Sequence, residues 1–535
     1  MLWNSLVGSI LYYCVRKVED KRPILGSVMC TLMVFLPLSG WLADVFFGRY
    51  KVIHVSLCVM WISILLNVLC AIATTYTDNH TSRIVTVVDY VLLFILILGF
   101  AGFQANLIQF GIDQLLDASS NEIKSFIVWY AWTFNLTYIL MNVLTTCLSN
   151  SKNNHFIVEI IIAINLSLSL CLDCLFNNWF IKEPPTQNPI KLVLKVIRYA
   201  IKTKHLQHRS AFTYCEDKLP SRIDFGKYKY GGPFTTEQVE DVKTFLRIAV
   251  FIGIGSYVAS TTWALNYPQQ KLVINLQGWN DTTVSCYERT AVMSSDLLVV
   301  VCCVPLYEFV LYPLSHTCIP RNSIFKKLMV GVVLCFLRMT ALLIMEALRQ
   351  VDNKSSSAHC FFTDTYLVTN ISYHLSIFIA ILSGLSWIIL FTAAIEFVCS
   401  QSPYAMKGLV LGLGYGAIGL YSLMHVLIMV AFTKLISWSN VPFSCGLWYF
   451  LLQIILIIAF MVVFTAIVKL VYKRRQREDV LPNEQTFAIQ YYEKYATNSS
   501  SSSSSSEYSN SDSEVRDCFE TVPCIQCDNI IIPKY

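Results

Sequence analysis

The sequence predicts an all-α polytopic membrane protein of two six-helix halves, the first helix truncated. Three observations carry this prediction. Apolar runs close to the ~20 residues that a helix needs to cross a bilayer recur along the chain. Hydrophobic residues make up 55% of the 535 and charged ones only 14%, with a mean hydropathy of +0.54, far from the roughly quarter-charged composition of soluble domains. Basic residues gather on alternate connections, the pattern that orients helices in a membrane.

Taken in order, 2–14 is apolar but too short to cross, and reads as the second half of a helix whose first half is missing. Full spans are predicted at 25–47, 51–76, 85–112, 125–148, 156–181, 243–265, 294–314, 325–348, 372–399, 407–434 and 446–472, making ~12 helices with the stub. The regions expected are an N-terminal bundle (1–181), a cytosolic linker (182–242), a C-terminal bundle (243–473) and a cytosolic tail (474–535). Over 188–205, Leu, Val and Ile alternate with Lys and Arg at helical spacing, which predicts an amphipathic helix along the inner leaflet. The serine run at 499–506 and the acidic stretch after it cannot bury a core, so a disordered tail is expected.

Orientation follows from the loops. The Gly-Arg-Tyr-Lys connection at 48–51, the 315–327 connection with Arg321, Lys326 and Lys327, and the basic run after Tyr472 all fall on one side, the cytosolic one. The alternate loops carry the glycosylation acceptors Asn79, Asn280 and Asn353, expected outside. The net charge of +5 is too small to suggest a nucleic-acid partner. Most of the 19 cysteines lie in apolar runs or in the tail, where they act as small hydrophobes and form no disulfide framework. Cys524 and Cys527 lack a second pair of ligands, so no metal site is expected. No nucleophile–base pair or phosphate loop is present either, so neither an enzyme nor a cofactor is predicted.

A chain that spends most of its residues in lipid moves something or senses something, and its polar groups there locate the work. Ionisable groups inside a membrane are costly and face a cavity or one another. Glu308 stands ~9 Å from the cytosolic end of its helix and Arg338 ~20 Å from its own, which makes a direct pair a long reach. The amides of Gln104 and Asn106 either line a solute path or bond between helices. Trp263 and Trp387 face the cavity or the lipid, and His374 and His425 are read as structural. Gly40 and Ala43 let helices approach closely. Asp44 and Arg49, on either side of Gly48, form a latch that opens and closes between two states, or are interfacial anchors.

Four segments carry a resemblance: Gly40-Trp-Leu-Ala-Asp44-Val-Phe-Phe-Gly48-Arg-Tyr-Lys-Val-Ile53; Gly99-Phe-Ala-Gly102-Phe-Gln104-Ala-Asn106-Leu-Ile-Gln-Phe110-Gly111-Ile-Asp113-Gln114; Pro305-Leu-Tyr-Glu308-Phe-Val-Leu-Tyr312-Pro313-Leu; and Ile395-Glu396-Phe-Val-Cys-Ser-Gln401-Ser-Pro403-Tyr-Ala-Met406-Lys407. In this order, on these helices, they resemble the proton-dependent oligopeptide transporter family of the major facilitator superfamily, also called the peptide/nitrate family and, in animals, solute carrier family 15. The resemblance runs over about 25–473. It implies a major facilitator fold, alternating access between the halves, and the latch reading of Gly40, Asp44, Gly48 and Arg49.

The resemblance also has gaps. The first-helix Glu-x-x-Glu-Arg motif tied to proton coupling has no counterpart, and only Val7-Gly-Ser-Ile-Leu-Tyr-Tyr matches that helix's second half. The family's fourth-helix lysine corresponds to Gln104, a seventh-helix acid to Tyr257, a nearby arginine to Thr262, and the tenth-helix glutamate that grips a peptide's amino terminus to Trp387. Glu308 then stands first as the proton-coupling group, with Glu396 behind it, and Gln104, Asn106, Tyr257, Trp263 and Trp387 are the substrate-path residues. The expected function is secondary active, proton-coupled transport of oligopeptides or a related small organic solute. The alternative is a transporter-like protein that no longer transports and acts as a sensor or scaffold through its tail. The expected partners are the solute, protons and the lipid bilayer, in the plasma membrane ahead of an endolysosomal one.

Overall fold

The computed structural model describes residues 2–19, 35–77, 83–115, 118–148, 155–185, 188–203, 221–264, 292, 294–311, 324–352, 372–403, 406–438 and 445–472. Asn79, Asn280, Asn353, the side chain of Trp263 and the tail after Tyr472 lie outside the described residues. Within them, the named elements are helices, and an isolated bridge pairs Lys227 with Phe234.

The first half contains α1 (Leu2–Glu19), α2 (Phe35–Leu42, widened to a π-turn over Ala43–Phe47), α3 (Arg49–Thr77), α4 (Arg83–Asp113), α5 (Ser120–Leu148) and α6 (His155–Phe176). After the linker helix α7 (Pro189–Lys202) come α8 (Thr236–Ala264), α9 (Ser295–Leu306, π over Tyr307–Leu311), α10 (Ile324–Asp352), α11 (Ser376–Gln401), α12 (Lys407–Trp438) and α13 (Cys445–Tyr472). Nine helices among the described residues are long and apolar enough to cross a membrane. The predicted span at 25–47 is described only from Phe35, as a shorter apolar helix. The span predicted at 294–314 is described over 294–311 and is not a regular α-helix throughout. Pro305 has no N–H for the carbonyl of Val301, the indole N–H of Trp132 in α5 takes that carbonyl at 2.9 Å, and the helix widens immediately afterwards.

Packing shows the twofold organisation. In the first half α1 packs on α5, α2 on α4, α3 on α4, and α3 on α6. The same pairs recur six spans later, as α8 on α12, α9 on α11, α10 on α11, and α10 on α13. The halves meet through α2 against α12 and through α5 against α9, two contacts related by the same shift.

Between the halves, α7 starts as its sequence directs. Asn188 caps it by accepting from the N–H of Lys191 at 3.2 Å, and Pro189 occupies the first turn. Pro189, Val193, Val196 and Ala200 form the buried face, while Ile190, Leu194 and Ile201 stay exposed beside Lys191, Lys195, Arg198 and Lys202. The N-cap side chain also accepts from the indole of Trp41 at 3.4 Å, tying the linker to α2. Two short 3₁₀ turns, Asp224–Gly226 and Tyr228–Tyr230, then lead into α8.

Candidate functional site

Two layers of side chains join the halves. The first sits where α2 meets α12, at the end that carries the basic loops. Gly40 and the backbone of Gly408 touch there: a Cβ on Gly40 would come within 2.4 Å of the Gly408 carbonyl oxygen. The π-turn sets Asp44 inward, and Gly48, at φ +80, turns the chain into α3 with a backbone that a side chain would strain. Asp44 Oδ2 accepts from the N–H of Leu409 at 2.9 Å, so a carboxylate from the first half caps the positive end of α12 in the second. Its other oxygen takes the Arg49 guanidinium at 3.2 Å. Arg49 also reaches Asp113 at 2.5 Å and Glu183 at 3.0 Å, and Gln109 donates to Asp113 at 2.8 Å. The buried Lys407 lies in the field of Asp113, Arg49 and Glu183.

A second link lies at the same end. Glu396 in α11, 8% exposed, pairs with Lys124 of α5 at 3.3 Å and with Lys327 of α10 at 3.1 Å. One carboxylate therefore joins a lysine of its own half to a lysine of the other.

Deeper in, the halves meet through aromatic rings and Gln104, and at the opposite end the Asn142 amide of α5 donates to the Ser294 hydroxyl before α9 at 2.6 Å. Gln104 in α4 donates to the Tyr415 hydroxyl of α12 at 3.3 Å and accepts from the Tyr130 hydroxyl of α5 at 3.4 Å. Trp387 stacks on Phe391 of its own helix at 4.8 Å and on Phe134 of the first half at 6.2 Å.

The predicted site residues divide. Gly40, Asp44, Gly48 and Arg49 come together with Gly408 and Leu409, and Gln104 and Trp387 stand between the halves. Asn106 is fully buried, and its amide donates to the Gly102 carbonyl one turn back in α4 at 2.9 Å. Tyr257 is 0% exposed in the core of the second half. Its hydroxyl donates to Gln453 at 2.8 Å and its ring stacks on Phe460 at 4.0 Å. A large polar ring in a mostly apolar helix satisfies its hydroxyl locally and buries the rest, which a sequence correspondence does not reveal. Glu308, read as lying well inside the bundle, is half-buried in the π-turn of α9, 3.5 Å from the Ser125 hydroxyl of α5. Arg338 is fully buried in α10, where its charge interacts with Asp296 of α9. His425, read as structural, is buried and 3.1 Å from Ser260.

Asp113, Glu183, Lys124, Lys327, Tyr130 and Tyr415 were not legible as site residues. Asp113 stands next to last in the second quoted motif, the one local signal that could have found it. Among the described residues no cluster of His, Cys, Asp or Glu could hold a metal ion.

Comparison with known proteins bears on the same residues. The profile of the POT family, PTR2, matches residues 50–439. Solute carrier family 15 member 3 of Rattus norvegicus is 22% identical over 462 residues, 77% of this chain and 76% of that one. Solute carrier family 15 member 1 of Homo sapiens is 23% identical over 352 residues, 62% of this chain and 45% of its own. Among solved structures, the POT family transporter PepTSo matches with a TM-score of 0.62 at 16% identity, covering 89% of this chain and 98% of that one. An auto-inhibited POT family peptide transporter matches at 0.59 and 17%, covering 89% and 96%. The fold is that of these transporters, a major facilitator bundle.

Proposed function

Because this chain belongs to the POT family, we propose that it is a proton-coupled secondary active transporter of oligopeptides or a related small solute, working by alternating access. The observation that supports this most is the double link at one end: Asp44 on the N-terminus of α12, and Glu396 on Lys124. Each crosses from one half to the other, and each is an ion or a charge-assisted hydrogen bond rather than greasy packing. Such contacts form and break cleanly between two arrangements of rigid bundles. A scaffold that only senses would need no separable gate, so this arrangement favours transport over the sensor alternative.

The basic loops make the linked end cytosolic, so the described state is closed towards the cytosol. Glu396 and Glu308 are the carboxylates placed to carry a proton. Protonating Glu396 removes its attraction for both lysines and loosens the gate, which would couple proton entry to opening. Related POT structures are in complex with 5-aminolevulinic acid or a thioalcohol-conjugated peptide, which makes small solutes of these kinds the first to try. The membrane assigned is the plasma membrane ahead of an endolysosomal one.

The test is uptake by the full chain in proteoliposomes under an inward proton gradient, with labelled di- and tripeptides and 5-aminolevulinic acid. Gradient-dependent accumulation that collapses with a protonophore is expected. Monodisperse protein that accumulates none of these solutes would overturn the reading.

A further inference from the structure

We propose that the second half holds a pocket for an uncharged solute bearing a benzene-sized apolar group, entered from the interface between the halves. The proposal deepens the transport reading above and rests on it for the route by which a solute arrives.

A cavity of about 120 Å³ lies among α8, α10, α11, α12 and α13. That is near the ~150 Å³ of an apolar cavity that stays dry and admits benzene. Among the described residues, no acid, lysine, arginine or histidine lines it, and the hydroxyls are those of Ser256 and Tyr415. An ammonium or carboxylate placed there would shed its water and find no opposite charge, so a charged group is excluded and a ring or branched chain is favoured.

The space is built into the sequence. Gly255 of α8 and Gly414 of α12 both line the cavity, and a Cβ added to either would meet no atom within 4 Å. They differ in this from Gly40 and Gly412, whose added Cβ atoms would strike backbone of a neighbouring helix at 2.4 Å and 2.7 Å. Packing requires glycine at the latter pair. At Gly255 and Gly414 it only leaves room.

The mouth points to where the guest enters. Trp387, Phe391 and Tyr415 line the cavity, and two of these three also touch the first half, Trp387 through Phe134 and Tyr415 through Gln104. A guest ring would extend the stack of Phe134, Trp387 and Phe391. Its polar end would lie towards the Gln104 amide and the Tyr130 and Tyr415 hydroxyls, which exchange hydrogen bonds with neutral groups.

The experiment is calorimetric binding to the full chain in nanodiscs with three probes: N-acetyl-phenylalaninamide, N-acetyl-glycinamide and the zwitterionic dipeptide Phe-Ala. The capped phenylalanine should bind at least tenfold more tightly than either of the others. Gly255→Leu and Gly414→Leu, which fill the cavity, should each weaken it tenfold or more, and the double Gly255→Ala/Gly414→Ala variant about threefold. The alanine methyls meet open space, so this variant keeps a folded comparison available if the leucine variants do not fold. Equal affinity for the capped phenylalanine and glycine, tighter binding of the zwitterion, or undiminished affinity in the folded double-alanine chain would overturn the proposal. Binding is read without transport. A chain that binds the capped phenylalanine but moves no solute refutes the transporter and leaves the pocket standing. Gradient-driven uptake of the capped phenylalanine that is indifferent to the filled cavity does the reverse.

Discussion

At the scale of single residues, Asp44 shows why a short motif holds two halves together. Its two oxygens face different partners, the Leu409 N–H across the interface and the Arg49 guanidinium beside it. Asn at this position keeps an acceptor for the N–H but loses the charge that strengthens that bond and one of the three carboxylates around Arg49, leaving Asp113 and Glu183 on the guanidinium. Asp44→Asn should therefore open the gate, read as faster amide exchange in 406–412 and 35–42 with the rest of α12 unchanged. Unaltered exchange in both segments would remove Asp44 from the gate. Glu396 carries the second residue-level prediction. Depth along the helix ranks Glu308 first in sequence, but among the described residues Glu308 meets a serine at 3.5 Å whereas Glu396 holds two lysines. Glu396→Gln should consequently flatten the pH response of uptake more than Glu308→Gln does. The opposite order, measured in proteoliposomes at equal protein content, would return the coupling role to Glu308.

At the scale of elements, the linker ends in a charged cluster that sets its own pH range. Asp224 pairs with Lys227 at 2.8 Å and with Lys243, while Lys227 reaches Glu240 at 2.6 Å. Burial would raise the Asp224 pKa, but hydrogen bonds from Lys227, Lys243 and Ser221 outweigh it and hold the carboxyl well below the usual range. Burial likewise works against the Lys227 charge, and Asp224 and Glu240 more than restore it, so its pKa is raised. The stability from Asp224 is thus present above about pH 4 and lost as pH falls towards the folded value. That from Lys227 is present below about pH 10 and lost as pH rises through its folded value. Amide protection over 221–243 in the full chain should be flat from about pH 5 to 9 and drop at pH 3, and Asp224→Asn should remove most of that acid sensitivity. Protection that persists unchanged at pH 3 would show that apolar packing, not the cluster, holds this segment. Element boundaries were largely legible: α7 begins at its Asn188–Pro189 cap, and α3, α4, α10 and α12 lie within a few residues of their hydropathy runs. The π-turns were not. Widening a helix by a residue answers to what packs against it, as Trp132 does on Val301.

For the whole molecule, topology is the property that can be tested without a substrate. Asn79, Asn280 and Asn353 should face outside, so a glycosidase-sensitive mass is expected that Asn→Gln changes at these sites abolish. Sugar on the tail instead would invert every loop. The sequence by itself determined that this chain crosses a membrane many times and in two similar sets of helices. Partition into lipid is a sum over ~20 neighbouring residues, and loop charge is local as well. Only the tertiary structure decided which polar groups meet. Asp44 and Leu409 are 365 positions apart, and Gln104 and Tyr415 are 311 apart. Nothing local distinguishes Gln104, which bridges the halves, from Asn106, which bonds within its own helix. They lie two positions apart and so on different faces, and the bundle alone determines which face meets the other half.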